Sequence, residues 1–358
     1  MKKRIDERDT MFARMNYEVG SDQYNDYYKN HPEHKERDDH MRTLPHICGE
    51  GTMTYDPIHS RFADSVFRML GDINPLSEGP HQAKRVETDP KTMTEIIKKY
   101  AKFYGAVDVG ITKMKPEYYY SHRGRKRENY GDTVEAKDHY AIVFAVEMDQ
   151  DMINRAPQIE EVIAVVKGYM DAGMTGMVLS YMIRELGYEA RNHMDGNYLV
   201  VAPLIAEAAG LGAIGRMGIL TSKVCGPRVR LGVITTDLEL IPDEPEYFGF
   251  AEFCEICGIC SRTCPGQAIP KEKRHEVDGE LRWQIKQENC YERWRSLGTD
   301  CGVCLSACPF SQDLDLETIK KMNKDPELMR AYLSDYREKH GIRVYIKEPL
   351  DIVKTSKA

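Results

Sequence analysis

Eight of the ten cysteines in this 358-residue chain fall between Cys254 and Cys308. The first run is Cys254-Glu-Ile-Cys257-Gly-Ile-Cys260-Ser-Arg-Thr-Cys264-Pro265, the spacing of a bacterial iron–sulfur ligand loop. A second set follows as Cys290, then Cys301-Gly-Val-Cys304-Leu-Ser-Ala-Cys308-Pro309. Two residues between thiolates aim three sulfurs at one cubane, and the fourth cysteine, followed by proline, ligates the other cluster. The spacing therefore predicts two [4Fe-4S] clusters, one held by Cys254, Cys257, Cys260 and Cys308, the other by Cys264, Cys290, Cys301 and Cys304. Structural zinc fits poorly, because it takes cysteines as two separate pairs. Disulfides belong to small secreted chains, and this one is long.

Hydrophobic residues make up 41% of the chain and charged residues 30%, the balance of a soluble globular protein. No apolar run reaches the roughly 18 residues of a membrane span, so no membrane partner is expected. The start, Met-Lys-Lys-Arg-Ile-Asp-Glu-Arg-Asp, has neither an apolar export segment nor a twin-arginine pair, which predicts a cytoplasmic protein. A formal net charge of −7 argues against nucleic acid, since neutralising phosphates needs a basic surface.

Four regions are expected. Residues 1–90 are polar, with short helical patterns at Asp22–His31, stopped by Pro32, and at Ile58–Leu70, and read as an arm wrapped on a core. Residues 91–250 alternate helix and strand, the pattern of an α/β core: a helix over Met93–Tyr104, strands over Ala106–Ile111, Tyr140–Glu147 and Val229–Thr235, and a helix over Ile159–Leu186 broken near Gly173 and Gly176 and closed at Gly187. Residues 251–312 form the cysteine module, and 313–358 a polar helical tail. Gly210, Gly212 and Gly215 match a dinucleotide fingerprint by letter, but an alanine-rich helical segment leads in where a strand should. Together with Arg216 they are taken instead as a close backbone approach to a bulky cofactor.

The chain resembles cobalamin-dependent reductive dehalogenases of the soluble, non-respiratory type. The resemblance rests on Glu7-Arg-Asp-Thr-Met-Phe-Ala-Arg-Met, Tyr104-Gly-Ala-Val-Asp-Val-Gly, Tyr120-Ser, Phe144-Ala-Val-Glu-Met, Leu186-Gly-Tyr-Glu-Ala, Ala209-Gly-Leu-Gly-Ala-Ile-Gly-Arg-Met-Gly, Gly226-Pro-Arg-Val-Arg, Thr235-Thr-Asp-Leu and both cysteine runs, in this order. It implies a nitroreductase-like α/β (α+β) core that buries a corrinoid, then a ferredoxin-like dicluster module. It implies base-off cobalamin with no protein histidine on cobalt; none of the 11 histidines lies in an Asp-x-His-x-x-Gly arrangement, the nearest being His193. The expected substrate is a small organohalide, and the electron donor a separate ferredoxin or flavodoxin; a homodimer is left open. By motif position the resemblance puts a proton-donating tyrosine at Tyr169 and its activating cation at Arg228, with Arg230 as fallback and Asn197 in the same pocket. The cation is expected to lower the phenol pKa. Tyr118-Tyr119-Tyr120-Ser-His122 is read either as a cofactor or substrate wall or as a solvated aromatic loop, and Cys48 and Cys225 as buried, inert thiols.

Two alternatives share parts of this pattern. Epoxyqueuosine reductase has the corrinoid core and both clusters, but uses an aspartate before an Ala-Pro segment, where this chain has Leu199-Val200-Val201 before Ala202-Pro203. A dicluster ferredoxin acting only as a carrier would not need about 250 residues ahead of its clusters.

Overall fold

A computed structural model describes residues 3–245, 249–277 and 279–354. Helices α1 (Met11–Asn16), α2 (Asp22–Asn30), α3 (Pro32–Thr43) and α4 (His59–Ile73) form the arm. Thr10 and Ser21 cap α1 and α2, accepting hydrogen bonds from Ala13 N and Tyr24 N. Pro32 does not simply stop α2. It opens α3 at its first turn, where its missing N–H costs nothing and its fixed φ is already helical.

Asp89 caps α5 (Pro90–Phe103), which leads into β1 (Asp108–Lys113) and β2 (Tyr140–Glu147). A short α6 (Gln150–Ile153) precedes α7 (Ile159–Glu185), then β3 (Ala190–His193), α8 (Ala202–Ala208), the hairpin β4 (Gly212–Ile214) and β5 (Leu220–Ser222), and β6 (Val229–Thr236). The main sheet runs β1-β2-β6-β3 and every pairing is antiparallel, so the core is of the α+β kind. β2 shows why the sheet is buried on both faces. Ile142, Phe144 and Val146 pack towards α5 and α7, while Ala141, Val143 and Ala145 pack towards α8 and Tyr119, as the period of two in a strand requires.

Helix α7 is continuous where a break near Gly173 and Gly176 was expected. Both glycines are needed for closeness: a Cβ on Gly176 would meet Asn192 Oδ1 at 2.1 Å, and one on Gly173 would meet Leu70 Cδ2 at 3.1 Å. The helix ends as expected at Gly187, whose φ of +88° suits glycine. At 27 residues α7 is also long and apolar enough to cross a bilayer, contrary to the reading of the sequence. However, 67% of its apolar window is buried inside the protein, which is how a core helix behaves.

The cysteine module comprises α9 (Phe250–Cys257), α10 (Ile259–Thr263), the small hairpin β7 (His275–Val277) and β8 (Glu280–Arg282), α11 (Gln287–Leu297) and α12 (Val303–Ser306). The tail is two helices, α13 (Leu316–Met322) and α14 (Pro326–His340), parted by Asn323 and Lys324 at positive φ. One apolar cluster crosses these boundaries. Met148, Ala164, Val165 and Met217 of the core pack with Phe250, Phe253, Ile259 and Phe310 of the module and Met329, Leu333 and Tyr336 of the tail.

The arm clamps this assembly through charge. Arg14, fully buried, bonds both Asp38 oxygens at 2.7 and 2.8 Å and Glu288 Oε1 on α11 at 2.6 Å. Arg37 reaches Asn289 and Glu292, each at 2.8 Å. In return, Arg295 donates to the carbonyls of Leu44 and Pro45.

Candidate active site and cluster centres

The eight module cysteines carry no disulfide. Gly258 and Gly302, both left-handed, turn the chain after Cys257 and Cys301 so that α10 and α12 each deliver another thiol within three residues. The electrostatic neighbours fall into the expected sets. Cys308 is acted on by Cys254, Cys257 and Cys260, and Cys290 by Cys301 and Cys264, while Cys304 senses Cys301, Cys290, Cys264 and also Cys260. The sets thus adjoin through Cys260 and Cys304. Burial, reinforced by neighbouring thiolates, lifts Cys257 and Cys290 to about 12. Such thiols ionise together only around a cationic centre, so the donor set fits iron–sulfur clusters.

Arg216 is engaged by the backbone of the cysteine module. Its guanidinium donates to the carbonyls of Cys254, Glu255, Pro270 and Glu272 and lies 4.9 Å from the Trp283 ring. It is a strut from the core into the cysteine module. The glycines beside it are likewise occupied by protein. A Cβ on Gly212 would fall 2.0 Å from Thr221 O in the β4–β5 hairpin, and one on Gly210 3.3 Å from Glu244 O. At Gly215 it would lie 2.9 Å from Thr221 Oγ1 and 3.7 Å from Cys254 Sγ. Gly215 alone of the three adjoins a cluster thiol.

Tyr169, on α7, lies against Phe67 with ring centroids 5.7 Å apart. The cation facing it is Arg230 of β6, not Arg228. Arg230 Cζ lies 4.5 Å from the Tyr169 ring centre, and Nη1 lies 3.4 Å from the phenol oxygen. Gly168 makes this possible, because a Cβ there would sit 2.7 Å from Arg230 Cγ. Arg228 precedes the strand and turns away, donating to Glu147 at 2.7 Å and to the carbonyls of Met148 and Ser311. Asn197 is also committed elsewhere. Its side-chain oxygen accepts from Arg191 at 2.9 Å and Arg123 at 3.3 Å, and its amide donates to Asn74 O. Its partners tie the 191–198 segment to Arg123 and Asn74.

Arg230 Nη2 bonds Asp300 Oδ2 at 2.8 Å, and Asp300 is bonded covalently to Cys301. Tyr120, Arg125, Asp195 and Tyr198 stand within electrostatic reach of Tyr169 or of one another. They form a partly open recess beside Tyr169, in which the side chains of Arg125, Arg230, Asp195 and Asp300 keep 16–28% exposure. Arg125 has ion-pair contacts only at 3.7 Å, with Glu7 and Asp195, and rests over Phe12. Glu161 is fully buried, with neither carboxyl oxygen hydrogen-bonded among the described residues; burial and the nearby Asp300 push its pKa well up. Arg125, Asp195, Tyr198 and Asp300 were not foreseen, and no local spacing flags them.

The phenol of Tyr169 is not made more acidic overall. Burial raises its pKa, and the opposing pull of Arg230 and Arg125 does not cancel that. Of the aromatic run, Tyr118 and Tyr119 are core, with Tyr119 bonding Asp138 at 2.7 Å, and only Tyr120 reaches the recess region. His193 is spent internally: Nδ1 accepts from Leu199 N at 3.2 Å and Nε2 faces Thr235 Oγ1 at 3.0 Å. Cys48 and Cys225 are buried thiols pushed up to about 12 and about 11 by burial, as expected of inert ones.

The 4Fe-4S dicluster domain family matches residues 253–312. The tetrachloroethene reductive dehalogenase of Sulfurospirillum multivorans is 31% identical over 259 residues, covering 63% of this chain and 51% of that protein. Its namesake from Desulfitobacterium hafniense is 32% identical over 266 residues, 61% and 48% of the two chains. Epoxyqueuosine reductase of Lactococcus garvieae is 29% identical over 134 residues, 36% and 37%. Among solved structures, the catabolic reductive dehalogenase NpRdhA in complex with 3-bromo-4-hydroxybenzoic acid superposes with a TM-score of 0.76 at 24% identity, covering 95% of this chain and 47% of that one; this likeness establishes the fold. The chain spans about half the length of the curated relatives it matches.

Proposed function

We propose that this homologue of the reductive dehalogenases is an oxidoreductase that replaces a halogen on a small organic molecule by hydrogen. Substrate R–X takes up two electrons and one proton and leaves as R–H and halide. The observation that carries the reading is the unbroken contact Tyr169–Arg230–Asp300, ending at the residue next to Cys301. It brings a proton-bearing phenol and a cluster thiol to one place.

In this reading the two clusters are held by the two cysteine sets, and a separate ferredoxin or flavodoxin supplies them. A corrinoid would lie beside Tyr169, held by side chains that combine aromatic faces with guanidinium and carboxyl groups. When bound, it supplies a reducible cobalt that hands electrons to the carbon–halogen bond.

The side chains do the rest. Tyr169 stays protonated through neutral pH because burial raises its pKa, so it releases a proton only to a strong base such as a developing carbanion. Arg230 then stabilises the tyrosinate, and Asp300 fixes the guanidinium over the ring. Arg125 and Asp195 orient the polar end of the substrate. Ten unpaired cysteines suit the reducing cytoplasm.

Anaerobic reconstitution with iron, sulfide and hydroxocobalamin tests this. The expected result is about eight irons and one retained corrinoid per chain, with halide released from a bromophenol under a viologen reductant. Full iron loading with no retained corrinoid overturns the enzymatic reading and leaves an electron carrier.

A further inference from the structure

The sequence His31-Pro32-Glu33-His34 joins α2 to α3. The donor atoms of His31, Glu33 and His34 all lie within 4.8 Å of one another. Glu33 Oε1 is 3.5 Å from His31 Nδ1 and 3.6 Å from His34 Nε2. Nitrogen and oxygen ligands about 2.0–2.2 Å from a tetrahedral zinc stand about 3.3–3.6 Å apart along each edge, so two edges of the coordination polyhedron already exist. We propose that His31, Glu33 and His34 bind a divalent cation of zinc type that staples the arm.

Three further features favour a site over a chance grouping. The imidazoles are held nearly parallel, 6.0 Å apart at 23°, because both stack on Tyr27, His31 at 4.6 Å and His34 at 6.4 Å. With Nδ1 turned to Glu33, His31 presents Nε2 towards Asp9 Oδ1 at 3.8 Å, beyond a direct hydrogen bond but on the side where a carboxylate stands behind a metal-bound histidine. Asp9 is itself anchored, accepting from Tyr27 Oη at 3.2 Å, while its carbonyl accepts from Gln287 of α11 at 3.0 Å. A cation here would therefore tie the start of the chain, the α2–α3 junction and the module helix bearing Cys290. The three side chains are 32–61% exposed, so the ion is reached from solvent and keeps a water in its fourth position. Two imidazoles and one carboxylate select zinc over magnesium or calcium, which take oxygen ligands.

The test uses cluster-loaded protein equilibrated with zinc chloride under nitrogen and then desalted, with zinc and iron counted in the same sample. Wild type should retain one zinc with its iron unchanged, and its Tm should rise by a few degrees. His34→Gln and His31→Gln should each lose at least nine-tenths of that zinc and the Tm rise, while keeping iron content and halide release. Zinc uptake equal in the double variant H31Q/H34Q, no zinc retained by wild type, or uptake only at the expense of iron would each overturn the proposal, the last by assigning the zinc to the cluster cysteines.

Discussion

Replacing Tyr169 by Phe separates proton delivery from everything else the recess does. The ring is unchanged, so it still packs on Phe67 and beneath Arg230. Among the described residues the hydroxyl meets Arg230 Nη1 at 3.4 Å, long for a hydrogen bond. A typical hydrogen bond contributes a net ~0.5–1.5 kcal/mol to stability, and this one belongs at or below the bottom of that range. A positioned general acid, by contrast, contributes roughly 10²–10⁴ in rate, equivalent to about 3–5 kcal/mol of barrier. The variant should thus lose turnover by two to four decades on the order of that estimate while its Tm, iron content and corrinoid content stay at wild-type values. Halide release under a viologen reductant, with and without deuterated solvent, reads this out. Since burial raises the phenol pKa above its usual value near 10, the wild-type rate should show no tyrosine limb below about pH 10. A Tyr169→Phe enzyme within about threefold of wild type would refute the assignment.

Gly168→Ala should displace Arg230 from the tyrosine, because the new Cβ would stand 2.7 Å from Arg230 Cγ; we expect a stability loss of ~1–3 kcal/mol and impaired turnover, measured by denaturant unfolding and halide release. Arg14→Met leaves Asp38 buried without its cation, though still accepting from Tyr28 Oη, and should cost about 3–5 kcal/mol by the same unfolding measurement. For Glu288, burial acts to raise the pKa, but the hydrogen bond and charge of Arg14 outweigh it and the net shift is downward. The carboxylate therefore adds stability above its unfolded pKa of about 4.3, which is lost as pH falls through the folded value. The Tm difference between wild type and Glu288→Gln should accordingly be present at pH 7 and shrink below about pH 4.

The cysteine sets were legible because cubane ligands are mostly local in sequence, so their spacing carries their geometry. Strands β2 and β6 were legible for a similar reason: burial on both faces of the sheet leaves long apolar runs. The partner of Tyr169 was not. Arg228 and Arg230 are two apart, and alternation alone gives them the same face. What separates them is where the strand begins, at Val229, and the presence of Glu147 and Ser311 O to draw Arg228 away. The recess was hidden more thoroughly, since Arg125, Asp195, Tyr198 and Asp300 come from three distant segments that only tertiary packing brings together. The spacing of Gly210, Gly212 and Gly215 announces close approach without saying to what, because close approach to protein backbone demands the same residue as close approach to a ligand.

The ion pair from Arg14 to Glu288 spans 274 positions, and this sets an order of assembly. As the polypeptide emerges from the ribosome, the guanidinium must wait for nearly three hundred residues to be translated before its last anion arrives. Glu288 sits two residues ahead of Cys290, so docking of the leading helices and enclosure of the second cubane are tied to the same late event.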